Sequence, residues 1–163
     1  FSVRMGINTG EMVVGNMGSK TRVDYTMLGD AVNLAARLEG AGKPYGVTTM
    51  ISESTYLITR ALIEARELDS IRVVGKEEPV RVYEVLGKKG EVDAHKLQVV
   101  DLFTEGVNKY RERHWDEAIS LFEQGLELDP NEGPCAVYID RCKDFIDNPP
   151  PEDWDAVHNL DSK

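Results

Sequence analysis

Residues 23–41 read VDYTMLGDAVNLAARLEGA, and this stretch decides the fold. Its first five residues form an apolar, strand-like run, and Gly29-Asp30 then opens a helix that runs to about Ala41. The Asp30 carboxylate suits the start of a helix, because it can accept hydrogen bonds from free backbone N–H groups there. The stretch therefore predicts a strand followed directly by a helix.

The flanking sequence continues the alternation of strands and helices. Period-two patterns predict a strand at residues 2–8, a turn at Thr9-Gly10, a second strand at 11–15 and a loop at 16–19. Downstream, a short strand is predicted at residues 47–51, then a helix capped by Ser52, then a closing hairpin formed by residues 72–74 and 80–85. This order of elements predicts an α/β or α+β sandwich.

Two polar residues interrupt the helix of residues 30–41, which is otherwise apolar around most of its circumference and so is predicted to be largely buried. Asn33 and Arg37 lie four residues apart, on one face. Burying them costs free energy unless they have partners. They either bond internally to a strand carbonyl and a carboxylate, or face a cleft and hold an anionic ligand.

Lys76 and Thr26 also have ordinary structural interpretations, and for Lys76 a functional one is open as well. Lys76 is either an exposed lysine of the hairpin turn or a point charge for a phosphate group. Thr26, in the strand before the helix, is on pattern alone a residue that favours β structure.

Composition and charge limit the class of protein. The 163 residues are 41% hydrophobic and 29% charged, with a formal net charge of −10. Residues 1–87 hold ten basic and eleven acidic side chains, whereas residues 88–163 hold nine and eighteen. The acidic half would repel a phosphate backbone, which argues against nucleic-acid binding. We therefore predict a boundary near residue 88, with domains at 1–88 and 89–163. The sequence contains no apolar run of about 18 residues, so no membrane-spanning helix is predicted.

The two cysteines, Cys135 and Cys142, lie seven residues apart in a predicted helix, roughly 10 Å along its axis. That distance is too long for a disulfide between them. They are predicted to be small buried apolar residues in a reducing compartment.

The second half is predicted to be helical, after a linker at residues 87–90. Three apolar stripes with helical spacing carry this prediction: Val99, Phe103, Gly106, Val107 and Tyr110; Trp115, Ala118, Ile119, Phe122 and Leu126; and Tyr138, Ile139, Cys142, Phe145 and Ile146. The first two resemble one tetratricopeptide repeat. The Pro-rich, acidic residues 148–155 predict an extended end, in which Trp154 either caps the third helix or docks into a hydrophobic slot.

Four motifs in residues 1–88 carry a family resemblance. They are GINTG at 6–10, VGNMGS at 14–19, YTMLGDAVNLAARLE at 25–39 and VGKEEPVRVYEV at 74–85. In this order and spacing they resemble the C-terminal half of a class III nucleotidyl cyclase catalytic domain. The resemblance implies an α+β fold, with a partial ferredoxin-like α/β sandwich and an all-α helical hairpin extension.

The resemblance also implies a role for four residues. Asn33 matches the asparagine that orients the ribose, and Arg37 matches the arginine that stabilises the transition state at the phosphates. Lys76 matches the lysine that binds the triphosphate. Thr26 matches the residue that reads the purine edge, and a threonine there fits bacterial adenine-reading enzymes. The implied substrate is ATP, converted to cyclic AMP and pyrophosphate in signal transduction.

The family's metal centre belongs to a part that this sequence does not match. In the family two aspartates of the N-terminal half hold two Mg²⁺ or Mn²⁺ ions, and neither Asp24 nor Asp30 is assigned that role here. No metal ligand is therefore predicted in this sequence. The chain begins without Met, in a predicted strand, so we expect a fragment that is inactive by itself although the parent protein is a cyclase.

The resemblance further implies partners. Family members place the active site between two subunits, so a homodimer is expected, in a swapped or intertwined form because of exposed sheet edges. The helical tail is a candidate site for a protein partner. Direct contact with nucleic acid or membrane is not expected, and the expected location is cytoplasmic, with any anchor in an N-terminal region of the parent. The rival hypotheses are a non-catalytic, dimerising scaffold and a guanylate cyclase.

Overall fold

The computed structural model describes residues 3–73 and 76–160. The chain is α+β, as the sequence predicts. Its elements follow one another as β1 (Met5–Ile7), β2 (Val13–Ser19), β3 (Arg22–Leu28), α1 (Asp30–Ala41), β4 (Thr49–Ser52), α2 (Glu53–Thr59), β5 (Ile63–Arg72), β6 (Val80–Lys88), α3 (Ala94–Arg111), α4 (Trp115–Leu128), α5 (Gly133–Asp147) and β7 (His158–Asn159).

The strands form a five-stranded sheet and a separate hairpin. The order in the sheet is β1-β4-β6-β5-β7, with β1 parallel to β4 and β7 parallel to β5. Within the described residues, strands β2 and β3 pair only with each other, antiparallel from Val13 opposite Leu28 to Ser19 opposite Arg22. The hairpin thus extends from the rest of the fold immediately before α1.

The two faces of the sheet carry different helices. On one face, Tyr83 of β6 stacks on Tyr56 of α2, with ring centroids 4.0 Å apart. The next residue of β6, Glu84, points to the opposite face and binds Arg66 of β5, which also binds Glu132 just before α5. The helical tail therefore covers the face opposite α2.

A single hydrophobic cluster joins α1, the sheet and the helical tail. Its members are Leu38, Ala41, Tyr45, Val47, Met50, Leu68, Ile71, Val73, Val82, Phe103, Val107, Tyr110, Ala118, Phe122, Cys135, Tyr138, Ile139 and Cys142. The tail therefore packs on the sheet of its own chain. The division at residue 88 and the tetratricopeptide character of the tail stay predictions.

A buried polar group connects β5, α5 and the turn between α1 and β4 inside this cluster. Asp69 of β5 accepts hydrogen bonds from the Tyr45 hydroxyl (2.5 Å) and from Arg141 of α5 (2.7 Å). Tyr138 donates to the Leu68 carbonyl at 2.9 Å. Burial, and then the Asp69 charge, raise the pKa of Tyr45 well above its usual range, so the tyrosine stays neutral.

Several local predictions are confirmed. Helix α1 has the predicted bounds, and the Ser52 hydroxyl caps α2 by accepting from the Thr55 N–H. The apolar stripe from Val99 to Tyr110 is buried along its length. Cys135 and Cys142 are free and buried.

Other predictions are wrong. Residues 16–19 continue β2 as a strand, because Asn16 to Ser19 pair with β3, which overrides their turn-forming composition. Helix α1 is only partly buried, with Leu38 and Ala41 its buried residues, because its other side faces open space. Asp30 lies in the first turn of α1 as predicted, but its carboxylate binds Lys76 and no backbone N–H group of the described residues. Of the predicted closing hairpin, Val74 and Gly75 lie outside the described residues.

For the C-terminal segment, the structure has the second of the two arrangements that the sequence left open for Trp154. Trp154 docks among Tyr110, Trp115 and Phe145, with ring centroids 5.1–5.6 Å from its own, and so does not cap the third helix.

No helix in the described ranges is long and apolar enough for a bilayer crossing.

Candidate functional site

A pocket of about 410 Å³ lies between α1 and the segment that connects β5 to β6. Its walls contain three of the four site residues predicted from the sequence, namely Asn33, Arg37 and Lys76. Among the described residues the lining is Asp30, Ala31, Asn33, Leu34, Arg37, Val73, Lys76, Glu78 and Val80. Residues more than 35 positions apart in the chain therefore meet around one cavity.

Helix α1 supplies one wall because its spacing places the polar residues together. Asp30, Asn33 and Arg37 stand at i, i+3 and i+7 and share a face. Asn33 and Arg37 are exposed, and neither side chain has a hydrogen-bond or ion-pair partner among the described residues. Of the two arrangements left open by the sequence, the structure has the one in which both face a cleft.

The opposite side of α1 holds this wall in place. Leu38 is completely buried, and β1 lies directly beneath the helix at Gly6. A Cβ atom at Gly6 would stand 2.3 Å from both the Ala35 carbonyl oxygen and the Glu39 nitrogen, so only glycine permits this approach. The backbone contact makes the helix a rigid support for Asn33 and Arg37.

Lys76 stands across the pocket from α1 and is already paired. Its ammonium nitrogen donates to Asp30 Oδ2 at 2.6 Å, and both side chains are substantially exposed. The hydrogen bond from Lys76, followed by its charge, holds the pKa of Asp30 below its usual value. The sequence did not predict this ion pair. The available signal was the position of Asp30 one turn before Asn33, on the same face of the helix.

The pocket combines donors suited to an anion with two acidic groups. Arg37 offers a planar fork of N–H groups, Lys76 a point charge and Asn33 an amide. Asp30 and Glu78 balance the two positive charges, so the formal charge of the lining is zero. An incoming phosphate group would compete with the Asp30 carboxylate for Lys76, whose ammonium has three N–H donors.

Thr26 does not line this pocket. It is half-buried in β3 of the hairpin, opposite Gly15 of β2. Around it the hairpin exposes a set of large apolar side chains, comprising Val13, Val14, Val23, Tyr25, Met27 and Leu28. Within one chain, the structure therefore brings together three of the predicted site residues and leaves the fourth apart.

The residues present do not fit the two-metal centre implied by the family resemblance. Within residues 3–73 and 76–160 no group of three or more His, Cys, Asp or Glu side chains is arranged to hold a metal ion. Asp24 is exposed on the hairpin and approaches Arg22 at 3.6 Å, while Asp30 is engaged by Lys76. No step of the chemistry is therefore assigned to a metal held by these residues.

Comparison with known proteins gives a family match for the half that carries the pocket. The profile described as "Adenylate and Guanylate cyclase catalytic domain" matches residues 1–87. "Adenylate cyclase, terminal-differentiation specific" of Dictyostelium discoideum is 36% identical over 142 residues, 85% of this chain and 7% of that protein. That match is longer than residues 1–88 and so extends into the helical tail.

Two further similarities each cover about half of this chain. "Adenylate cyclase 1" of Rhizobium meliloti (strain 1021) is 39% identical over 87 residues, 53% of this chain and 13% of that protein. The crystal structure of the adenylyl cyclase CyaB from P. aeruginosa is 40% identical, with a TM-score of 0.47, and the match covers 55% of this chain and 45% of that one. The chain thus spans a small fraction of the length of these curated relatives.

Proposed function

The chain belongs to the adenylate and guanylate cyclase catalytic-domain family, and from this premise we propose that it is the C-terminal part of the catalytic domain of a class III adenylate cyclase. The reaction is the conversion of ATP to cyclic AMP and pyrophosphate. The observation that carries the proposal is the convergence of Asn33, Arg37 and Lys76 on one open pocket of about 410 Å³.

The chemistry requires stabilisation of negative charge at two places. The ribose 3′-hydroxyl loses its proton to the solvent, its oxygen bonds to the α-phosphorus, the bond from that phosphorus to the oxygen bridging to the β-phosphate breaks, and pyrophosphate departs. Charge accumulates on the α-phosphate and on the leaving group. Donors held in position stabilise this charge without reorganising during the reaction.

Each pocket residue has a distinct part in this step. Arg37 contacts the phosphates through its guanidinium and stabilises the transition state. Lys76 leaves Asp30 and binds the triphosphate, because a polyphosphate carries more charge than one carboxylate. Asn33 orients the ribose so that the 3′-oxygen lies in line with the leaving group. Asn33 and Arg37 keep a constant separation during the reaction because they lie one turn apart on α1, and the close contact with β1 at Gly6 holds this helix on the sheet.

Base recognition is assigned to Thr26, which makes ATP the preferred substrate over GTP. Thr26 lies on the exposed hairpin and is not part of the pocket wall, so this role is compatible with a dimeric site. In a homodimer, the apolar side chains of the hairpin are covered by a second copy. Light scattering tests this: a dimer is expected, whereas a clean monomer at high protein concentration would contradict it.

We propose that the 163 residues alone do not make cyclic AMP, since neither Asp24 nor Asp30 matches the two metal-binding aspartates of the family, and both contact basic side chains, Arg22 and Lys76. The test is incubation of the purified chain with ATP and Mn²⁺. No cyclic AMP is expected, and detectable product would overturn this part of the proposal. A non-catalytic scaffold is the second candidate, supported by the engagement of Lys76 with Asp30.

The decisive experiment uses a catalytic domain that joins this chain to a half carrying two metal-binding aspartates. Arg37→Ala is expected to lower kcat by more than it raises KM for ATP, because the guanidinium acts on charge that develops in the transition state. Equal losses in both parameters would mean that Arg37 binds the ground state. Unchanged turnover would favour the scaffold.

A further inference from the structure

We propose that the C-terminal strap, defined as residues 154–160, acts through Arg72 to position the Lys76 segment of the pocket, defined as residues 76–78. The inference rests on the proposed function, because it concerns how strongly Lys76 is presented to the triphosphate. Arg72 is a positioning residue in this scheme, since it lies outside the pocket lining and acts through its neighbours.

The strap extends the sheet next to the pocket. Its strand β7 pairs in parallel with the end of β5, with Ile71 opposite His158 and Arg72 opposite Asn159. The Leu160 N–H donates to the Arg72 carbonyl at 3.0 Å. Strand β5 ends at Arg72, four positions before Lys76, so the strap holds the strand from which the Lys76 segment departs.

The Arg72 guanidinium then joins the strap to that segment. One terminal nitrogen donates to Asp155 Oδ2 at 2.8 Å, and the other donates to Asn159 Oδ1 at 2.7 Å. The third nitrogen, Nε, donates to the Glu77 carbonyl at 3.0 Å, immediately after Lys76. Because the guanidinium is planar and its donors are held in a fork, these three contacts fix the strap and the Lys76 segment relative to each other.

The other end of the strap is tied to the helical tail. Trp154 packs edge-on against Tyr110 and Trp115, and the Arg113 guanidinium lies 5.6 Å above the Trp154 ring. Arg113 also donates to the carbonyl groups of Pro150, Pro151 and Glu152. A continuous set of contacts therefore runs from the core of the tail to the backbone beside Lys76.

Through the strap, the helical tail therefore restrains the Lys76 segment at the edge of the pocket. With the strap bound, the Lys76 segment is restrained before nucleotide arrives, so less conformational entropy is lost on binding. With the Asp155 contact removed, the segment gains freedom and the affinity for triphosphate falls. The pKa of Asp155 lies below its usual value because of the Arg72 hydrogen bond, so the pair is ionised at neutral pH.

The test measures ATP affinity of the full 163-residue chain by calorimetry in a set of matched variants. Asp155→Ala is expected to weaken binding about two- to fivefold, the range of a single exposed ion pair. Arg72→Lys, which retains charge but loses the fork, is expected to behave similarly. Glu152→Ala is the control, because its exposed side chain has no partner among the described residues, and it should leave the affinity unchanged.

A double-mutant cycle separates positioning from general destabilisation. In a Lys76→Ala background, Asp155→Ala is expected to have no further effect on ATP affinity, because the residue it helps to position is gone. An equal loss in both backgrounds, or no loss from Asp155→Ala in the wild type, would overturn the inference.

Hydrogen exchange gives a readout that is independent of nucleotide binding. The amides of residues 76–78 are expected to exchange about two- to fivefold faster in Asp155→Ala, but not in Glu152→Ala. Unchanged exchange would overturn the inference even if ATP binds. Absence of ATP binding to the wild type, with faster exchange in Asp155→Ala, would instead contradict the proposed function and leave the positioning role supported.

Discussion

The β2–β3 hairpin and the helical tail bury their apolar residues to opposite extents. The hairpin leaves Val23, Tyr25 and Met27 largely exposed, although they belong to the half that carries the site. In the tail, Phe103 and Phe122 are completely buried, although none of the predicted catalytic residues lies there. The contrast indicates that the tail and sheet share one core within the chain, whereas the hairpin leaves an apolar surface that the proposed homodimer would cover.

The polar contacts follow the same division. Around the pocket the ion pair of Lys76 and Asp30 is exposed and can open for a ligand. Between the sheet and the tail, Arg66 and Glu132 are both almost completely buried, and Lys96 binds Glu132 from α3 at 2.6 Å. The first arrangement suits binding, and the second makes the position of the tail specific.

The largest expected effect tests the packing side of the comparison. Phe103→Ala should lower the free energy of unfolding by about 3–5 kcal/mol, because it empties a completely buried site. Tyr25→Ala, on the hairpin, should change it by no more than about 0.5 kcal/mol. Urea unfolding of the two variants measures both values. Similar losses would show that the hairpin is part of the stable core of a single chain.

A buried charge gives the next largest effect. Glu132→Ala removes one of the two carboxylates that bind Arg66, and should cost about 3 kcal/mol because the guanidinium stays buried with less compensation. Glu123→Ala on the exposed face of α4 is the matched control and should be nearly neutral. A neutral Glu132→Ala would mean that the tail does not depend on this ion pair for its position on the sheet.

The contact between β1 and α1 yields a medium effect. Gly6→Ala should destabilise the chain by about 1–3 kcal/mol, because the new methyl group would collide with the backbone of α1. Gly15→Ala, with no atom within 4 Å of the added carbon, should be close to neutral. Thermal unfolding compares the two. Equal behaviour would contradict the direct support of the pocket helix by β1.

The smallest effect concerns the strap and depends on pH. The folded state lowers the pKa of Asp155 from its usual 3.8, so the pair with Arg72 stabilises the fold above that value and is lost as the pH falls below it. Asp155→Asn should therefore cost under about 1 kcal/mol at pH 7 and nothing once the wild-type carboxyl is protonated. Unfolding measured at both ends of this range checks it; a constant difference would contradict an ionic contact.

Local sequence patterns predicted the elements whose signals lie within a few residues. The bounds of α1 follow from Gly29-Asp30 and the glycines at its end, and the buried stripe of α3 follows from helical periodicity. Residues 16–19 were predicted to form a loop, but their pairing with β3 makes them part of strand β2. Strand β5, which begins at Ile63, was not predicted. These outcomes depend on tertiary contacts that composition does not encode.

The residues of the candidate site were predicted, but their ion pairs were not. Asn33 and Arg37 share a helix face by spacing alone, and family resemblance added Lys76 from a distant segment. The pairing of Lys76 with Asp30 joins residues 46 positions apart, and that of Arg72 with Asp155 joins residues 83 apart. The first pairing has one sequence signal, the position of Asp30 one turn before Asn33, and the second has none, so the sequence predicted neither pair.

The most direct test of the central claim is a titration of the ¹⁵N-labelled chain with ATP, followed by NMR. Binding in the pocket predicts chemical-shift changes in residues 30–38 and 76–80 that saturate together, with little change in α4, and Arg37→Ala should abolish most of them. Saturable changes centred on the tail, or none at all with ATP in large excess, would contradict the assignment of Asn33, Arg37 and Lys76 to a nucleotide site.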